Sequence, residues 1–141
     1  MTGRRLHLPE ALAQSVVAAA KRAYPREACG LIEGSRTGAQ WNAAAVHETA
    51  TLAGDPRREF LSDPSRHFAL MRGLRHSGRD VIGCFHSHPD GTPAPSERDR
   101  AEAAEHDFLW LIAGGAPDGG LALAVFRSDA QRQGFTPVPL A

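Results

Sequence analysis

Apolar positions recur along this chain with two periods, about two and about 3.6 residues, and these mark out short strands and three helices. Residues 4–8 read as a short strand. Pro9 suits the first turn of a helix, and Leu12, Val16, Ala19 and Ala23 then recur at helical spacing. This predicts a helix over 9–24, stopped by Pro25. Residues 27–32 read as a strand ended by Gly34, residues 40–48 as a second strand and 50–58 as a loop. Phe60 and Leu61 fall in another short strand. Asp63 before Pro64 is a helix start, with Asp as N-cap and Pro at the first helical position. His67, Leu70, Met71 and Leu74 mark one face of that helix, and Gly78 ends it. Residues 81–86 form a buried strand that runs into a Pro/Gly loop, 89–95. Ser96 begins a third helix that lasts to about His106. Residues 108–113 and 121–127 are two further strands joined by a Gly-rich turn. Residues 135–140 read as a last edge strand, where prolines are tolerated.

Strands and helices are interleaved, and the last strands are joined by a short turn, so the pattern is not that of a doubly wound parallel sheet. The fold class is α/β with a mixed, α+β-like sheet flanked by helices. No repeat, low-complexity tract or linker divides the chain, and 141 residues suit a single domain over 1–141 with one core. A hydrophobic fraction of 42% supplies that core. The 16 basic and 16 acidic residues cancel, which leaves no electrostatic ground for a nucleic-acid partner. Lys21 is the single lysine, an imbalance better explained by genome composition than by function. No stretch approaches the ~18 apolar residues of a membrane helix. Arg4 and Arg5 precede a partly apolar stretch that faintly resembles a signal peptide, but Pro9, Glu10 and Gln14 interrupt it. No membrane partner and a cytoplasmic location are the expectations. Two cysteines, Cys29 and Cys84, are too few for a disulfide framework.

The chemistry is concentrated in GCFHSHPDGTPAPSERD, Gly83 to Asp99. His86 and His88 lie two apart in a strand, so both rings project from one face. Seven residues follow before Ser96, and Asp99 comes three after it. Two imidazoles and a carboxylate match the three protein ligands of a catalytic zinc, which keeps an open position for water. Each part has a plainer reading. A His pair two apart arises by chance on surface strands, and Ser96 with Asp99 is also the S-x-x-D of a helix capping box. The compound pattern is more specific than either part, and Ser96 can cap a helix while its hydroxyl faces the site. Glu27, in PREACGLIEG, reads either as an exposed acid at a strand start or as the acid that activates the water. The small residues Cys29 and Gly30 beside it allow a close backbone approach. Ser87 should point to the opposite face from the histidines and bond the loop backbone. Cys29 and Cys84 share the parity of Glu27 and His86, and read as small buried residues near the site. His67 reads as a partly buried core residue. His7, His47, His76 and His106 are scattered without a matching partner. Trp41 and Trp110 pack in strands.

These motifs resemble those of the JAMM, or MPN-plus, zinc metalloproteases. PREACGLIEG resembles the family's glutamate-bearing strand, FLSDPSRHFALMRGL the segment preceding the metal motif in compact bacterial members, and HSHP with its later S-x-x-D the metal motif itself. The resemblance spans about Leu6 to Arg127. It implies a curved mixed sheet similar to cytidine deaminases, and one zinc ion held by His86, His88 and Asp99 with a water. By the same resemblance Glu27 is the general acid/base and Ser96 helps stabilise the tetrahedral intermediate. It further implies cleavage after the Gly-Gly tail of a ubiquitin-like or sulfur-carrier protein as the partner. Two alternatives compete. The DNA-repair-associated RadC group usually reads H-N-H-P-S-G where this chain has HSHPDG. Non-catalytic scaffolds of this type commonly lose ligands or the glutamate, and all five residues are present here. Nothing in the sequence reports oligomeric state.

Overall fold

The computed structural model describes residues 5–49, 64–97, 108–116, 120–129 and 134–140. In chain order these form β1 (Arg5–His7), α1 (Glu10–Ala23), β2 (Cys29–Thr37), β3 (Gln40–Glu48), α2 (Pro64–Gly73), β4 (Asp80–Pro89), β5 (Phe108–Gly115), β6 (Ala122–Asp129) and β7 (Gly134–Val138). The loop expected over 50–58, the short strand at Phe60 and Leu61, and the Asp63 cap lie outside the described residues. Of the third helix expected from Ser96 to about His106, only Ser96 and Glu97 are described, and Glu97 is helical.

The strands make one mixed sheet in the order β1-β3-β2-β4-β5-β6-β7. β1 pairs parallel with β3 and β4 parallel with β5, and the remaining neighbours are antiparallel. The sheet is curled enough for its two ends to meet. Leu6 in β1 bridges Leu140 beyond β7, and its amide donates to the Pro139 carbonyl at 3.0 Å. Pro137, which has no amide to donate, sits in the outermost strand β7. No helix among the described residues is long and apolar enough to cross a membrane.

Both faces of the central strands are covered. On one, Ile32, Phe85, Leu109 and Leu111 pack with Val16, Ala19 and Ala20 of α1. On the other, Cys29, Leu31, Cys84, Phe108 and Trp110 pack with Leu70 of α2 and with Leu74 just beyond it. Two-sided burial explains why β5 reads as a continuous apolar run, as parallel strands in a mixed sheet do. Trp41 and Trp110 are both buried, as expected.

The structure departs from the sequence reading in several places. Gly34 does not end β2. The strand runs on to Thr37 through a shift in its pairing with β3 between Glu33 and Gly34. A Cβ at Gly34 would collide with the Asn42 carbonyl, so the glycine permits a bulge where a stop was expected. α2 ends at Gly73, not at Gly78, which instead closes the following turn at φ 85°. Met71, expected on the packed face, is exposed. The side chain of His67 lies outside the described set.

Candidate functional site

β4 extends to Pro89, so His86 and His88 both belong to it and project from the face that carries Cys84. Their Nε2 atoms lie 2.9 Å apart. His86 is fully buried, its ring edge-on to Trp110 with centroids 5.8 Å apart, and Trp110 stacks edge-on to Phe135 at 5.2 Å. An apolar wall thus fixes one imidazole. His88, half-buried, faces a cleft.

The loop after β4 fixes the second imidazole. His88 Nδ1 lies 3.1 Å from the Thr92 carbonyl oxygen. A carbonyl only accepts, so Nδ1 carries a proton, and in the neutral ring Nε2 then keeps its lone pair toward His86. The loop is folded tightly: the Gly91 amide donates to the His88 carbonyl at 2.9 Å, and the Asp90 amide to the Gly115 carbonyl at 3.2 Å. Asp90 takes a left-handed φ of 59°. Across the cleft mouth, the Tyr24 hydroxyl lies 2.9 Å from both carboxylate oxygens of Asp90 and joins the end of α1 to this loop.

Glu27, expected to open the strand, lies two residues ahead of β2, which begins at Cys29. Its neighbour Ala28 is tied to β4 twice. The Ala28 amide donates to Ser87 Oγ at 2.8 Å, and the Ser87 amide donates to the Ala28 carbonyl at 3.1 Å. Ser87 therefore faces away from the two histidines and bonds backbone, as its parity required. Ser96 immediately precedes helical Glu97. Glu27, His88 and Ser96 line one cleft of about 730 Å³, with Asp90, Thr92 and Glu97. The described lining has three carboxylates and no lysine or arginine, so it favours positive charge.

Two imidazole nitrogens 2.9 Å apart hold one shared proton or one shared cation, because two facing lone pairs repel. Zinc bonded to both at about 2.0 Å needs about 3.3 Å between them for tetrahedral angles, a small opening from the observed distance. The histidine pair therefore fits a metal ion, with Thr92 supplying the carbonyl partner that metal-binding histidines usually have. Asp99, the expected third ligand, lies outside the described residues. Within those residues no group of three or more His, Cys, Asp or Glu side chains is arranged to hold an ion.

Cys29 pairs with His86 in the β2–β4 register, but its thiol is directed at the Thr49 carbonyl, 3.3 Å away. Burial pushes this thiol's pKa up, and the charges of Glu27 and Glu48 add to that against the Thr49 hydroxyl. It is a neutral packing residue, and neither cysteine forms a disulfide. One sequence expectation fails: His47 has a partner. Its Nε2 lies 2.8 Å from Glu33 Oε1, and Arg79 Nη1 donates to Glu33 Oε2 at 2.9 Å. The hydrogen bond from His47 does most to hold the Glu33 carboxyl below its ordinary range. Burial opposes it, and Arg79 reinforces it. Counting back from the turn at Gly38 would not have found this cluster, because the bulge at Glu33/Gly34 shifts the register and sets Glu33 opposite Ala45, on the face that His47 also takes. The Thr92 contact likewise had no signal in the sequence.

The model of the family described as prokaryotic homologues of the JAB domain matches residues 9–127. A protein named desampylase, from Haloferax volcanii, is 29% identical over 94% of this chain and 96% of its own length. A protein named a probable TtuB-protein conjugate cleaving protease, from Thermus thermophilus, is 30% identical over 72% of this chain and 65% of its own length. The crystal structure of a JAB1/MPN domain protein from Archaeoglobus fulgidus superposes with a TM-score of 0.59 over all of both chains. At 18% identity it shows a shared fold.

Proposed function

We propose that this chain, which belongs to the family of prokaryotic homologues of the JAB domain, is a zinc-dependent hydrolase of protein conjugates. The bond cut is the amide after the Gly-Gly tail of a ubiquitin-like or sulfur-carrier protein. The observation that carries this reading is the convergence of His86 and His88 Nε2 to 2.9 Å beside a cleft that Glu27 and Ser96 line. The relatives named for desampylation and for cleaving TtuB-protein conjugates support the substrate class.

In this reading His86, His88 and Asp99 hold the ion. Zinc bound there would supply Lewis acidity and bring the pKa of a coordinated water to about 7. Glu27 takes the proton from the attacking water and returns it to the departing amine. The Ser96 hydroxyl donates to the carbonyl oxygen as charge develops on it. An amine leaving group suits a cleft lined by Glu27, Asp90 and Glu97. A glycine tail suits the approach, because it lets substrate backbone pass close to the histidines.

Elemental analysis of the purified protein should give about one zinc per chain, as this ligand set requires. His88→Ala should lose it, together with the release of a C-terminal extension from a Gly-Gly carrier followed by mass spectrometry. Full zinc retention in both His86→Ala and His88→Ala would refute the ligand assignment. An extension left uncut by zinc-loaded enzyme that turns over another amide would refute the substrate.

A further inference from the structure

Gly114 stands beside His88 in the parallel β4–β5 register, and the loop after β4 fills the space where its side chain would be. A Cβ there would collide with the Pro93 nitrogen and would lie 2.6 Å from the Thr92 carbonyl carbon and 2.8 Å from Pro93 Cδ. These atoms are backbone and a proline ring, which cannot swing aside as the end of a flexible side chain does. The same peptide presents its Thr92 oxygen to His88 Nδ1. The atoms that a side chain at 114 would displace are therefore those that orient the ring.

We infer that Gly114 is a positioning residue for the metal site. Its bare backbone is the seat on which Thr92–Pro93 lies, and through the Thr92 carbonyl it selects the Nδ1-protonated form of His88 and the pitch of the ring. It touches neither substrate nor reacting atoms. The inference rests on the zinc reading above for its consequence, though not for its geometry. The Ala94 amide, donating to the Thr92 carbonyl at 2.9 Å, holds the same oxygen from the other side. Any shift of the loop off Gly114 thus moves an oxygen with two donors, of which the imidazole is the mobile one.

The test compares Gly114→Ala with Pro93→Gly, which loosens the seat without crowding it, and with Gly38→Ala. Gly38 is a control at φ 59° in the remote β2–β3 turn, with nothing within 4 Å of its added Cβ. Zinc affinity is read by chelator competition, and the His88 tautomer by imidazole nitrogen shifts in metal-free protein with neutral rings. Gly114→Ala should weaken zinc binding by about 10–100-fold, the usual effect of losing a ligand's outer partner, and should mix the tautomers. Pro93→Gly should act in the same direction by less, and it carries the test if Gly114→Ala does not fold. Gly38→Ala should lower Tm with zinc affinity unchanged. Unchanged zinc affinity and tautomer in folded Gly114→Ala, or in Pro93→Gly, overturns the inference, as does equal weakening in Gly38→Ala. A wild type that binds no zinc while Gly114→Ala still mixes the tautomers refutes the zinc reading and sustains the positioning.

Discussion

Ser87→Ala should damage both the fold and the chemistry, through one hydrogen bond on the side of β4 away from the histidines. Ser87 is 3% exposed, and its Oγ accepts the Ala28 amide at 2.8 Å. Alanine leaves that amide buried with its side-chain acceptor removed, which costs about 1–3 kcal/mol. For a chain of this size each kcal/mol moves Tm by about 2–4 °C, so a fall of roughly 3–10 °C is expected. The backbone bond from the Ser87 amide to Ala28 remains, so the fold should survive and zinc content should hold. Glu27, next to the freed amide, loses one of the two ties that set its distance from the cleft. A displacement of about 1 Å in a catalytic group costs on the order of 10²-fold in rate. Calorimetry, zinc analysis and kcat on one preparation separate the effects. A Tm within 1 °C of wild type (about the scatter of ordinary surface changes) together with unchanged kcat would show that this bond does not position Glu27.

Glu27→Gln should keep zinc and Tm and lose about 10²–10⁴-fold in kcat, since the amide cannot carry a proton; near-normal turnover would refute the assignment of the base. Glu33→Gln should lower Tm by about 3 °C at neutral pH, for a loss of about 1 kcal/mol discounted for the half-exposed Arg79. Because the folded Glu33 carboxyl is held below its ordinary value of 4.5, its stabilisation is fully present above that value and fades as pH falls through the lower folded one. The Tm gap between variant and wild type should therefore close in acid, and a gap unchanged down to pH ~2 would mean charge is not its source. Changing the last glycine of a carrier tail to valine should abolish release of its extension, measured by mass spectrometry; efficient release would show that the approach to the histidines is wider than a glycine path.

Local pattern was enough for the elements and for the parity within each. The β3 bounds 40–48 match at both ends, and α1 and β1 fall within a residue or so of expectation, because apolar spacing reports which face a residue takes within its own strand or helix. The same parity put His86 and His88 on one face and Ser87 on the other. It said nothing about what lies across a strand boundary. The reading of Gly34 as a stop, and of His47 as partnerless, both came from taking residues along one strand at a time. The bulge at Glu33/Gly34 and the ion cluster of Glu33, His47 and Arg79 exist only once β2 is paired with β3 and β4. The nearness of Glu27 to His88, more than fifty residues away in sequence, depends on the Ala28–Ser87 bonds between two strands. The Thr92 carbonyl reaches His88 because β5 carries a glycine at the right register position. Periodicity is a property of a segment and can be read from it. Register, closure of the sheet from Leu6 to Leu140, and the shape of the cleft are properties of pairs of segments. They are set by backbone hydrogen bonds and packing that no single stretch of sequence contains.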